Sequence, residues 1–208
     1  MADPLTRSWR RAWRGIGAAG TGLELRASLQ AAYEEPARRY HTLQHLRECL
    51  TEFERHRPLA EHAAEVELAL WFHDAVYEIG RADNEAQSAE WARRALHAAG
   101  VAQDPVGRIV ALVLATRHAE APRGTDAQLL VDIDLAILGA SPARFDEYEA
   151  QIRAEYAHVP DAEFRPRRRA LLAALLARDR LYSTAPLRAE LEGRARTNLR
   201  RSIQALSG

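Results

Sequence analysis

The sequence has no lysine: all 29 of its basic residues are arginine. That absence excludes Schiff-base chemistry on a lysine amine and the phosphate-gripping lysine of a P-loop. There is one cysteine, Cys49, which excludes an internal disulfide and fits a reducing cytoplasm. No apolar run approaches the roughly 20 residues of a membrane-spanning helix. The N-terminal stretch MADPLTRSWRRAWRGIGAAG is basic but lacks the apolar core of a secretory signal. Net charge is zero, with 29 acidic residues balancing the arginines. A general polyanion binder would be basic overall, so nucleic acid is not the expected partner.

What is present is enough apolar material, 47% of 208 residues, to build a core without staples. We expect one domain over 1–208, with an N-terminal helix and loop at 1–22 and C-terminal helices from 160 packed on the core. Leu5, Trp9 and Trp13 recur at four-residue spacing and predict a short amphipathic helix. GIGAAG (15–20) matches a dinucleotide-loop pattern, but no strand precedes it, so it reads as a helix stop. Further helices are expected over about 23–34, 40–55 and 61–74. The next opens at Asp83 or Asn84 and stops near Gly100. Asp104-Pro105 opens another through IVALVLATRH, which is apolar nearly all round and expected to be buried. The remaining helices cover about 126–138, 142–158, 161–180 and 186–206. No alternating strand pattern appears, so the fold class is all-α. Trp9, Trp13 and Trp91 belong either to the core or to the surface of a homodimer.

Polar residues at inward-facing helix positions mark the chemistry. In ALWFHDAVYE (69–78), His73 and Asp74 interrupt an apolar run, where burial is costly without a partner or a metal. RYHTLQHL carries His41 and His45 four residues apart, His118 ends the apolar helix, and LLVDIDLAILG contains Asp132 and Asp134. Histidines and aspartates converging from separate helices would hold one divalent ion. Each has a plainer reading as well: a hydrogen-bonded core histidine, a helix-end cation, or a carboxylate paired to arginine.

The ordered set YHTLQHL, FHDAVYE, DNEAQSA, TRH, DIDLAILG, IRAEY and ARTNL, over about 23–205, resembles the HD superfamily of metal-dependent phosphohydrolases. The resemblance implies an HD-like multi-helix bundle around a divalent metal (Mn, Fe, Zn, Ni or Co, with Mg a further candidate). It implies hydrolysis of a phosphate ester or anhydride in a small-molecule substrate, often a nucleotide. Carried over by position, His45, His73, Asp74 and Asp134 are the metal ligands, with Asp132 the fallback for Asp134. His41 resembles a histidine that protonates the leaving oxygen. Glu78 and Glu85 are candidates for positioning the attacking water. His118 is a fifth ligand or a phosphate contact, and Arg39 and Arg153 are candidate phosphate grips. The rival expectations are a non-catalytic metal or nucleotide sensor and, more remotely, nucleic-acid binding through FRPRRR and RARTNLRR.

Overall fold

The computed structural model describes residues 3–207, and those residues form helices, turns and loops with no strand. The all-α expectation holds. Contacts within the chain divide it into two compact units. The first ends at Val131 and the second begins at Asp132.

The first unit contains α1 (Pro4–Gly15), α2 (Leu23–Tyr33), α3 (Leu43–His56), α4 (Ala63–Phe72), α5 (Asn84–Ala98) and α6 (Gln103–Ala115). The division falls inside α7 (Thr125–Asp134). Local chemistry sets several ends. Asp3 caps α1 by accepting from the Thr6 N–H, with Pro4 at the first helical position. Gly100 takes a positive φ of 75° just past α5, a backbone shape that glycine adopts without strain. Leu5, Trp9 and Trp13 are all buried, so the expected stripe forms. Trp9 stacks on Trp13 and meets Trp71 edge-on, with ring centroids 5.1 and 5.2 Å apart.

α4 is the spine of this unit. α1, α3, α5 and α6 all pack on it, and every residue from Glu65 to Phe72 is buried. Burial of Leu68, Leu70, Trp71 and Phe72 contributes about 1.5–3 kcal/mol each. The two buried glutamates are each held by one arginine fork. Arg108 on α6 grips Glu65 at 2.7 and 2.7 Å, and Arg11 on α1 grips Glu67 at 2.9 and 2.6 Å. The sequence had pointed instead to IVALVLATRH as the buried helix. In α6 one face is buried through Val106, Ile109, Leu112 and Val113, while Ala111 on the other side is exposed. That helix also starts one residue before Asp104, with Ala102 at the cap.

The second unit contains a 3₁₀ segment (Leu135–Gly139), α8 (Pro142–Glu155), α9 (Asp161–Leu176) and α10 (Ala185–Ala205). Ser141 caps α8 by accepting from the Arg144 N–H. α10 packs on α9 and on the 3₁₀ segment. There the Asn198 amide donates to the Leu138 and Ala140 carbonyls at 2.9 and 3.0 Å.

Candidate metal centre

α4 ends at Phe72, and His73-Asp74 forms the turn that follows. That turn is tied down at nearly every polar atom. His73 Nδ1 bonds the Leu70 carbonyl at 2.8 Å. The Asp74 N–H donates to the Tyr33 hydroxyl, which donates in turn to the Trp71 carbonyl, both at 3.3 Å. The buried Arg38 guanidinium donates to the Asp74 carbonyl at 2.5 Å and the Ala75 carbonyl at 3.0 Å. Ser88 on α5 accepts from the Val76 N–H at 2.9 Å. Asn84 closes the rest of the loop, accepting from the Glu78 N–H and donating to its carbonyl.

The Leu70 contact places a proton on His73 Nδ1 and turns Nε2 towards His45 and Asp74. That Nε2 faces His45 Nε2 at 3.1 Å. Two nitrogen lone pairs at this distance repel unless a proton or a cation lies between them. Asp74 Oδ2 lies 3.0 Å from His73 Nε2 and 3.5 Å from His45 Nε2. Donors about 2.1 Å from one ion and about 90–115° apart are themselves about 3.0–3.5 Å apart, so these three atoms fit a shared divalent cation. On the other ring nitrogen, His45 Nδ1 lies 3.0 Å from the Tyr40 hydroxyl, which orients the ring. Burial pushes the Asp74 carboxyl up, but the charges of His73, His41 and His45 outweigh it and hold it below the usual carboxylate range. The two imidazoles are buried, whereas the Asp74 side chain keeps 16% of its surface exposed.

Cys49 belongs to this cluster and was not read from the sequence as a site residue. Ligand atoms of His45, Cys49 and His73 all lie within 4.8 Å of one another. The available signal was spacing: Cys49 follows His45 by four residues, one turn along the same helix face. Arg38 stands beside Arg39 and the YH pair, and nothing local in the sequence shows that its guanidinium turns inward to backbone carbonyls.

The other expected residues are distributed as follows. His41 is not on the helix with His45, because α3 starts at Leu43 with Thr42 as its cap. The loop nonetheless brings His41 close: its ring stacks on Tyr77 at 3.9 Å and lies 6.1 Å from the His45 ring. Glu85 is half-buried in the first turn of α5. Glu78 is exposed, with its carboxylate 2.7 Å from Arg81. Arg39 is exposed beside Tyr40. His118 lies past the end of α6 with φ 54°, in the left-handed region that a histidine rarely occupies. Its neighbour Arg117 lines a cavity of about 550 Å³ with Arg108 and Arg123, whose lining includes none of His45, His73 or Asp74.

In the second unit, Asp132 is fully buried and accepts from the Ser183 N–H, the Thr184 N–H and the Thr184 hydroxyl at 2.8, 2.6 and 2.7 Å. Its carboxylate holds the approach to α10. Asp134 is the last residue of α7 and is half-buried. Arg153 is engaged in the α8–α9 connection. It bonds Asp161, the Tyr156 carbonyl and the Val159 carbonyl, and lies over the Phe164 ring at 4.7 Å.

No family model, curated protein or solved structure matches the chain.

Proposed function

We propose that the protein is a metal-dependent phosphohydrolase of the HD type, acting on a phosphate ester or anhydride of a small molecule such as a nucleotide. The observation that carries this reading is the meeting of His45 Nε2, His73 Nε2 and Asp74 Oδ2 within 3.0–3.5 Å at the end of a buried helix. The order of these residues, a histidine followed by a His-Asp pair, supports the class. Asp134 is the fourth ligand by the resemblance. A divalent cation in such a site supplies Lewis acidity and activates water. The chain's own residues do the rest. Arg38 and Tyr33 hold the His-Asp turn rigid, Tyr40 orients the His45 ring, and the partly exposed Asp74 opens the cluster towards solvent. His41, stacked on Tyr77, is placed to give a proton to a leaving oxygen.

The thiol of Cys49 beside His45 favours a second reading, a closed metal site with a binding or structural role. One comparison separates the two. Wild type, Asp74→Ala and Asp134→Ala are incubated with Mn²⁺ or Zn²⁺, desalted, and assayed for metal content and for hydrolysis of p-nitrophenyl phosphate and a nucleotide panel. Metal and turnover present in wild type and lost together in Asp74→Ala support the hydrolase. Tightly held metal without turnover on any substrate favours the closed site. Equal metal in wild type and Asp74→Ala overturns the ligand assignment.

A further inference from the structure

Cys49 lies on α3 one turn after His45, and its Sγ is 3.7 Å from both ring nitrogens of that histidine. The residue is 2% exposed. A buried free cysteine often acts only as a small apolar side chain. Two observations set this one apart. Its sulfur shares a pocket with two imidazoles whose ligand atoms all fall within 4.8 Å. The imidazoles present Nε2 to Nε2 at 3.1 Å, an arrangement that needs a proton or a cation between them.

We propose that Cys49 is itself a ligand, so that the centre is a thiolate–imidazole site that selects zinc, iron(II) or cobalt(II) over magnesium and manganese. The proposal rests on the metal-site reading above and adds the metal's identity class to it. Soft thiolate and borderline imidazole donors favour those ions, whereas magnesium and manganese prefer sites built from oxygen. Cys49 supplies a buried donor, whereas the Asp74 side chain keeps some solvent contact.

Cobalt(II) is the probe. The full chain, stripped with chelator, is titrated with Co²⁺ and followed by absorption. Because Cys49 is the chain's one cysteine, a near-ultraviolet thiolate-to-cobalt charge-transfer band has a single origin. The expected result is visible ligand-field bands together with that near-ultraviolet band. Cys49→Ser should keep the visible bands, lose the near-ultraviolet band and bind Co²⁺ about tenfold or more weakly. Visible bands in wild type without the charge-transfer band overturn the role of Cys49 and leave the metal site standing. A charge-transfer band that persists in Cys49→Ser overturns it as well. Wild type that takes up no cobalt overturns the metal-site reading, and the thiolate proposal falls with it. The wild-type spectrum decides the question even where a variant fails to fold, and circular dichroism identifies such a variant.

Discussion

Arg38 and Asp74 are joined through the backbone: the guanidinium donates to the Asp74 carbonyl at 2.5 Å, from a side chain 1% exposed. The same group reaches the Ala75 carbonyl and lies 5.5 Å from the Tyr33 ring centroid. Arg38 therefore shapes the turn that presents His73 and Asp74 without touching their ligand atoms. Hydrogen bonds from a charged donor are worth about 1.5–3 kcal/mol, and Arg38→Met removes the donor from the His41, Asp74 and Ala75 carbonyls. Thermal unfolding should show a loss of about 2–4 kcal/mol, and metal affinity should fall about 10–100-fold while helical content is retained. Unchanged metal affinity in a destabilised variant would reduce Arg38 to a packing role.

Asp132 and Asp134 should separate cleanly. Asp132→Ala leaves the Ser183 and Thr184 N–H groups without their acceptor, at a cost of about 1–3 kcal/mol per unsatisfied group. Burial, partly opposed by these donors, already pushes the Asp132 carboxyl above its usual range. The expected variant is less stable but takes up as much metal as wild type. Reduced metal stoichiometry with normal stability would return Asp132 to the ligand set.

The parts of this fold that were legible in the sequence are those set by neighbours in the chain. Ser141-Pro142 announced α8, Gly100 announced the end of α5, and the Leu5–Trp9–Trp13 stripe announced α1. The buried spine was misplaced because its pattern misleads. α4 carries Glu65 and Glu67, which look like surface residues until Arg108 and Arg11 arrive from 43 and 56 positions away. The stretch 109–115 of α6 carries no such blemish and yet leaves Ala111 exposed. His41 was placed on the wrong element for a local reason: Thr42 takes an extended conformation and caps α3, a role the sequence permits but does not demand. His73 and Asp74 stood out because a charged pair inside an apolar run needs an explanation, whereas His45 was singled out by its spacing from His41 and by the resemblance. Arg38 and Tyr33 were not, since only folding brings them to the His-Asp turn.

The buried pairs of α4 give a second stability test. Glu67 is fully buried, and Arg11 retains about a third of its side-chain exposure. Removing one partner of a fully buried pair costs about 3–5 kcal/mol. Partial exposure of Arg11 screens the loss, so Arg11→Ala is expected to lose about 2–4 kcal/mol in denaturant unfolding. Adding Glu67→Gln should recover part of it by removing the stranded charge. A double variant worse than Arg11→Ala would show that Glu67 has other support.

Asp83, at the head of α5, is held down to about 2 by hydrogen bonds from Arg81 and Gln87. Its ordinary value is about 3.9. A depressed folded value means that its stabilisation is present above about pH 4 and is lost as pH falls towards 2. The group is exposed, so salt should weaken the effect. A carboxyl-carbon NMR titration should place the Asp83 midpoint near 2 at low salt, with Arg81→Ala moving it back up. An ordinary midpoint in wild type would mean that Arg81 does not hold it.

His41 and Tyr77 test the proposed chemistry separately from the metal. Their rings stack at 3.9 Å and 23°, and His41 lies beside the cluster without being one of the converging atoms. If His41 gives the leaving group its proton, His41→Ala should lower turnover by about 10²–10⁴-fold with metal content unchanged. Substrates with a good leaving group, such as p-nitrophenolate, need little protonation and should lose far less than alkyl phosphates. Tyr77→Phe should behave like wild type, because stacking needs the ring and not the hydroxyl, whereas Tyr77→Ala should share the leaving-group dependence of His41→Ala in weaker form. Equal losses on both substrate types would remove the acid role and leave His41 as a support for the turn. Loss of metal along with turnover would place His41 among the groups that hold the ion.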